Sequence, residues 1–98
     1  MIRFGASTFL WVSPFSTADF GLLPKVASMG YDILEVAVED RARIDWNELK
    51  QRADDLGLKL YVSGAFGADR DVSSDTPAIR RNGLAYIADC LHLARHVG

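Results

Sequence analysis

A helical pattern that ends at a glycine recurs along the chain and most strongly constrains its fold. The glycines are Gly30, Gly57 and Gly98, and an apolar segment follows each of the first two within a few residues. Glycine readily takes the left-handed conformation that ends many helices. Because parallel strands need helical crossovers, a strand, helix and glycine in repeated order indicate an α/β fold with parallel strands.

Three short segments have the composition of strands. Residues 2–6 form an apolar run, and residues 58–63 form another before a glycine. Residues 33–38 read ILEVAV and are interrupted only by Glu35, which predicts a strand buried on both faces. We predict that the three strands are parallel and adjacent in the order 1-2-3.

Helical patterns follow each strand. The first covers residues 20–29 with Pro24 in its first turn, where the missing backbone N–H costs little. The second covers residues 46–56, with Asp45 as its cap and Glu48 placed for a capping box. The third begins at Pro77, and its apolar stripe, at helical spacing, consists of Leu84, Ile87, Ala88, Leu91 and Ala94.

The connections between these elements differ in length. Helix-to-strand connections are one to three residues, whereas the segments after the strands are long, at residues 7–17, 39–45 and 64–76. In (β/α)₈ barrels the site is built from loops at the carboxyl ends of the strands. Long loops on that side predict a site there, although they fit a closed barrel and an open doubly wound sheet equally.

Composition excludes several classes of partner. The 98 residues carry 11 Lys and Arg against 13 Asp and Glu, a net charge of -2, which disfavours nucleic acid. No apolar run approaches the ~20 residues of a membrane span, so we expect no membrane partner. A single cysteine, Cys90, allows no intrachain disulfide, and we expect it to be buried as a small apolar side chain in a cytoplasmic protein.

Three segments in order resemble one enzyme family. They read KVASMGYDILEV at residues 25–36, ADDLGL at residues 53–58 and VSSDTPAIR at residues 72–80. Together they resemble the D-tagatose and D-psicose (allulose) 3-epimerases of the xylose-isomerase-like superfamily. The resemblance implies the (βα)₃ portion of a (β/α)₈ TIM barrel, a fold of ~250 residues. We expect residues 1–98 to be its N-terminal βαβαβα part, truncated before strand 4.

The resemblance also implies a reaction, a cofactor and a substrate. The expected activity is C3 epimerisation of a ketohexose through an enediolate, with a divalent metal (Mn²⁺, Mg²⁺ or Co²⁺) stabilising the developing oxyanion. The family's metal ligands, two glutamates, an aspartate and a histidine, come from later strands. We therefore expect no catalytic or metal-binding residue here and an inactive isolated chain. We also expect the full-length protein to be a homo-oligomer.

The resemblance implies that this N-terminal part of the barrel contacts the small-molecule sugar. Ser7 stands where the family has an aromatic residue after strand one, which puts the sugar specificity in question. The resemblance assigns substrate contact to a small set, with Glu35 in a lining or supporting role: Ser7, Trp11, Phe15, Glu35 and Ser63. Four of them have a plainer interpretation: loop anchors for the two aromatic residues, a structural ion pair for Glu35 and a strand-end position for Ser63.

Three other features favour structural interpretations. His92 and His96 have metal-binding spacing on a helix but no third ligand nearby, so we expect them to be solvated. The segment GAFGA at residues 64–68 lacks the third glycine of a dinucleotide-binding loop. Residues 69–71, with sequence DRD, are expected to form a surface ion-pair cluster.

Two alternatives to a ketose epimerase remain open at this point. One is another xylose-isomerase-like enzyme, of the inositol or hydroxypyruvate isomerase or dehydratase type; an AP endonuclease is disfavoured because the chain has no basic stripe. The other is a non-catalytic three-stranded α/β binding or assembly module that functions at this length.

Overall fold

The computed structural model describes all residues from Met1 to Gly98. Three parallel strands form one sheet in the order β1-β2-β3, which confirms the predicted topology. The strands are β1 (Gly5–Ser7), β2 (Ile33–Val38) and β3 (Lys59–Gly64), and the helices are α1 (Leu22–Ser28), α2 (Trp46–Leu56) and α3 (Pro77–Val97). Single 3₁₀ turns lie in the connections, at Thr8–Leu10, Thr17–Asp19, Arg41–Arg43 and Ala68–Arg70.

The elements with the clearest sequence patterns have the predicted bounds. β2 and α2 match residue for residue, and α3 begins at Pro77. The prediction for the first strand was wrong by several residues, because β1 pairs with β2 only from Gly5 to Ser7 while the residues before it are exposed. α1 is shorter than predicted, since residues 20 and 21 belong to the turn that precedes it.

The ends of α2 follow from local chemistry. The Asp45 carboxylate accepts a hydrogen bond from the backbone N–H of Glu48 at 3.0 Å. The reciprocal half of the capping box is absent, because the Asp45 N–H donates to the Thr17 hydroxyl and the Glu48 carboxylate pairs with Arg52. At the other end Gly57 has φ +69, so a residue with a side chain would be strained there.

One face of the sheet packs against the helices. Alternate residues of β2, Leu34, Val36 and Val38, are at most 1% exposed and pack with α1 and α2. The remaining members of this core are Phe15, Phe20, Leu23, Val26, Ile44, Leu49, Ala53, Leu58, Leu60 and Val97. Burial of this set supplies the main driving force for folding.

The other face of the sheet has no helical layer over it. β2 was predicted to be buried on both faces, and this is wrong at Glu35, which is exposed, and at Ile33, which is half-exposed. Only Ala37 is buried on this side of β2, where the turn after β1 approaches it and the Thr8 hydroxyl accepts its N–H. The sheet therefore has one packed face and one largely open face.

α3 packs on the sheet through a side different from its apolar stripe. Tyr86, Cys90 and Leu93 are partly buried against the core, whereas Leu84 and Leu91 are 62% and 68% exposed. Cys90 is half-buried rather than fully buried as predicted. No helix is both long enough and apolar enough to cross a bilayer.

Gly83 allows α3 to lie close to the loop after β3. A Cβ at this position would stand 2.6 Å from the Arg70 carbonyl oxygen and 2.7 Å from a Val72 methyl group. We expect Gly83→Ala to lower the free energy of unfolding by about 1–3 kcal/mol, because the backbone contact cannot relax cheaply. Urea unfolding followed by circular dichroism measures the change.

Gly21→Ala is the matched control for that substitution. Gly21 has a helical backbone conformation, and a Cβ there would meet no atom within 4 Å. Its stability should stay constant or rise by up to about 1 kcal/mol, since alanine reduces the freedom of the unfolded chain. Equal stability of the two variants would contradict the close-approach account of Gly83.

Candidate functional site

The open face of the sheet carries polar side chains in register. β1 and β2 align Ser7 with Glu35, and β2 and β3 align Glu35 with Tyr61. One step further along, Ala37 aligns with Ser63. Because side chains alternate between the faces of a strand, these residues all lie opposite the packed core. The structure thus brings three of the five predicted substrate residues, Ser7, Glu35 and Ser63, to one face.

We call Ser7, Glu35 and Tyr61, with Ser63 beside them, the polar row. Its groups differ in their availability to a ligand. The Ser7 hydroxyl accepts the Phe9 N–H at 3.2 Å, which leaves its own proton free to be donated. The Glu35 carboxylate is exposed and bonds no protein atom, so the structural ion pair considered for it is not formed. Tyr61 is 54% exposed, and its hydroxyl is likewise without a protein partner. The row combines donors and acceptors suited to a polyhydroxylated ligand.

Loops at the carboxyl edge of the sheet are joined by side-chain hydrogen bonds. Ser13, in the loop after β1, donates its hydroxyl to the Glu39 carboxylate just after β2, at 2.5 Å. This contact sets the two loops against each other at the edge where barrel-type sites form.

Trp11 lies partly buried in the loop after β1 and points to the helical side. Its ring packs against the hydrophobic core, and the Lys25 ammonium of α1 lies 5.7 Å from the ring centroid. This position is compatible with a loop anchor, and contact with a substrate stays a prediction.

Phe15 is a member of the hydrophobic core. It is 1% exposed, and its ring centroid lies 5.8 Å from that of Phe20. A buried ring presents no surface to a ligand in this chain, which favours the anchoring interpretation over a substrate wall. The substrate role of Phe15 likewise stays a prediction.

The histidines and carboxylates do not assemble into a metal-ligand set. His92 is exposed, and a His96 ring nitrogen lies 2.7 Å from the Asn47 amide oxygen, linking α3 to α2. No group of three or more His, Cys, Asp and Glu side chains is placed to hold a metal ion.

The prediction of a surface ion-pair cluster at residues 69–71 was wrong. Arg70 is half-buried and forms no salt bridge; its guanidinium lies 3.9 Å from the centroid of the Tyr86 ring and donates to backbone carbonyls. Asp71 instead accepts hydrogen bonds from the hydroxyl and the N–H of Ser73, which lower the pKa of its carboxyl group.

Tyr86 reaches from α3 to the ends of two strands. Its hydroxyl donates to the carbonyl oxygen of Val38 and accepts the N–H of Ala65 at 2.7 Å. Burial raises the pKa of Tyr86 above its ordinary value, with a smaller opposing effect of the Ala65 hydrogen bond. The hydroxyl is therefore kept in its protonated, hydrogen-bond-donating form.

Comparison with known proteins gives two curated relatives and a set of solved structures. L-ribulose 3-epimerase of Mesorhizobium japonicum is 28% identical over 99 residues, covering 100% of this chain and 33% of the relative. D-psicose 3-epimerase of Ruminiclostridium cellulolyticum is 39% identical over 72 residues, covering 70% of this chain and 25% of the relative. No protein-family model matches.

A solved structure of L-ribulose 3-epimerase superposes with a TM-score of 0.86 at 29% identity, covering 100% of this chain and 33% of that chain. The chain resembles the N-terminal third of ketose 3-epimerases. This confirms the family resemblance and the α/β fold class seen in the sequence. The chain spans about a third of the length of the relatives it matches.

Sequence reasoning missed three residues of this region: Tyr61 on the open face, and Arg70 and Tyr86 at the carboxyl edge of the sheet. Tyr61 could have been found, because it lies midway between Lys59 and Ser63 in the strand alternation. Arg70 and Tyr86 could not, because their contact depends on how α3 packs against β3, and neither residue stands in a recognisable motif.

The position of Phe15 predicts a large loss of stability on truncation. Phe15→Ala should lower the free energy of unfolding by about 3–5 kcal/mol, since it removes a fully buried ring and leaves a cavity. Phe9→Ala, at a residue that is 50% exposed in the same loop, should change it by less than about 0.5 kcal/mol. Chemical denaturation of both variants provides the measurement, and similarly small losses would place Phe15 outside the core.

The raised pKa of Tyr86 predicts a pH dependence. The stability that its hydroxyl contributes is fully present below the unfolded pKa of about 10 and is lost as pH rises through the higher folded value. The stability advantage of the wild type over Tyr86→Phe should therefore be constant up to about pH 10 and shrink over the range above it. A constant difference across that range, measured by urea unfolding, would contradict the burial of this hydroxyl.

Proposed function

We propose that this chain supplies the first three βα units of a metal-dependent sugar epimerase that inverts C3 of a ketohexose through an enediolate. The observation that carries the proposal is the row formed by Ser7, Glu35 and Tyr61, with Ser63 beside it, on the open face of a sheet that superposes on L-ribulose 3-epimerase. In a closed barrel this face would be the interior wall of the barrel.

The exposed surfaces of the chain support a barrel. β3 is a six-residue edge strand whose outer hydrogen-bonding groups have no strand partner, and long unprotected edges are avoided in isolated domains. The radius of gyration is 14.3 Å, compared with about 13 Å for a compact domain of this length. The principal extents of 45 × 27 × 23 Å describe an elongated body, as expected for a sector of a larger barrel.

Glu35, Tyr61 and Ser63 would bind and orient the sugar. A carboxylate accepts hydrogen bonds from neighbouring hydroxyls, and the tyrosine and serine hydroxyls both donate and accept. Holding the carbon backbone of the sugar in one position places its reacting carbon near the catalytic base. Such positioning accounts for a large part of the rate acceleration in reactions of this kind.

A divalent metal (Mn²⁺, Mg²⁺ or Co²⁺) belongs to the proposal for the complete enzyme. The residues of this chain do not fit such an ion by themselves, because no three His, Cys, Asp or Glu side chains converge. The part of these residues is therefore confined to binding and positioning the sugar.

A chimera tests the proposal. Residues 1–98 would replace the matching third of the Mesorhizobium japonicum L-ribulose 3-epimerase, and the purified protein would be assayed with Mn²⁺ on L-ribulose, D-psicose and D-fructose. We expect epimerisation at C3 of D-psicose or D-fructose, the two ketohexoses, and turnover of L-ribulose alone would contradict the assignment to a ketohexose. Glu35→Gln should then lower kcat/KM by about tenfold or more, equivalent to about 1.4 kcal/mol.

Glu48→Gln is the control, because this carboxylate lies on the outer face of α2, where it pairs with Arg52. It should leave kcat/KM within about twofold of the parent chimera. A chimera that folds and binds Mn²⁺ but epimerises none of these sugars would refute the proposed function. Unchanged kcat/KM in Glu35→Gln would remove Glu35 from the site.

A further inference from the structure

We infer that Tyr86 and Arg70 are positioning residues that hold the loops after all three strands in the arrangement a substrate meets. The inference deepens the proposed function and rests on it for its catalytic consequence. Neither residue lies in the row of polar side chains on the open face, so neither is assigned contact with the sugar.

Backbone pairing between β2 and β3 ends just before the positions at which Tyr86 and Arg70 form their hydrogen bonds. The last aligned pair is Val38 with Gly64. Beyond it, the Tyr86 hydroxyl donates to the Val38 carbonyl oxygen and accepts the Ala65 N–H. One side chain from the helical layer therefore continues the connection between two strands where their own ladder has ended.

Arg70 makes a second link across the same two ends. Its guanidinium donates to the Ala65 carbonyl oxygen from two nitrogens, at 2.9 and 2.5 Å, and to the Glu39 carbonyl oxygen at 3.0 Å. The planar fork of arginine suits this geometry, which a lysine ammonium cannot reproduce.

The rings fix these donors in place. The Arg70 guanidinium stacks on the Tyr86 ring at 3.9 Å, and the Phe66 ring meets Tyr86 edge-on, with centroids 5.2 Å apart. A guanidinium over the face of an aromatic ring is attracted to it electrostatically. Each member of the pair therefore limits the motion of the other.

The loop after β1 joins the network through Glu39. Arg70 holds the backbone of Glu39, and the Glu39 carboxylate accepts the Ser13 hydroxyl at 2.5 Å. A displacement at the end of β2 would thus reach the loops on both sides. Since the site of a barrel enzyme is assembled from these loops, their relative placement sets where the sugar lies.

Amide exchange on this chain itself is the first test. Tyr86→Phe keeps the ring and removes the hydroxyl, so the Ala65 N–H should exchange about tenfold faster or more. Arg70→Lys provides an independent variant and should accelerate the same amide. Tyr31→Phe and Arg95→Lys, whose side chains bond no protein atom across the strand ends, should leave its exchange unchanged.

The chimera described above supplies the second readout. Tyr86→Phe and Arg70→Lys should each lower kcat about tenfold while KM stays within about twofold and metal affinity is unaltered, because positioning acts on the reacting geometry. A merely structural role would lower Tm and leave kcat unchanged at temperatures where the variants stay folded.

Unchanged Ala65 exchange in both variants would overturn the inference. Faster exchange with unchanged kcat would also overturn it, by reducing the pair to a structural contact. An inactive parent chimera, in contrast, would count against the proposed function, while the exchange experiment would still decide whether Tyr86 and Arg70 hold the strand ends.

Discussion

β2 is the strand on which the rest of the structure depends, because it alone is hydrogen-bonded to a neighbour on each side. Its alternate residues Leu34, Val36 and Val38 form the centre of the core, and α1 and α2 pack over them. A strand with only one covered face separates two environments, one apolar and closed, the other polar and accessible. Glu35 lies on the accessible side, where its carboxylate needs no desolvation. The same strand therefore forms both the centre of packing and the base of the candidate site.

The close packing of α3 serves the carboxyl edge of the sheet as well as stability. Gly83 lets the helix approach the backbone at Arg70, and Tyr86, three residues along the helix, then reaches the strand ends. A side chain at position 83 would move the helix outward and withdraw the Tyr86 hydroxyl from its partners. The close approach of α3 thereby helps to set the geometry of the loops after β2 and β3.

Local sequence patterns were sufficient to predict the elements whose formation depends on residues close together in the sequence. The β-branched run of β2 and the Asp45 cap and Gly57 end of α2 were all readable, because propensity and capping act within a few residues. Phe15 and Arg70 were not readable, since their environments depend on partners such as Phe20 and Tyr86 brought near by folding. The acidic neighbours of Arg70 in the sequence favoured a surface ion-pair cluster, and the tertiary contact with Tyr86 overturned that expectation.

The uncovered apolar side of α3 bears on the chemistry of the open face. An apolar groove of about 230 Å³ between β3 and α3 is lined by Val62, Ile87 and Leu91, among others, and Leu91 is 68% exposed. Contiguous exposed apolar surface beside an unpaired strand edge is typical of a face that another layer covers. A layer paired to β3 would continue the curve of the sheet and enclose its polar face. In the proposed enzyme, Glu35 would then lie in a medium of lower dielectric, where a hydrogen bond to a sugar is stronger than in open water and an unpaired carboxylate is costlier. In the proposed enzyme, closure of the apolar groove and enclosure of the polar row would thus be two consequences of one packing event.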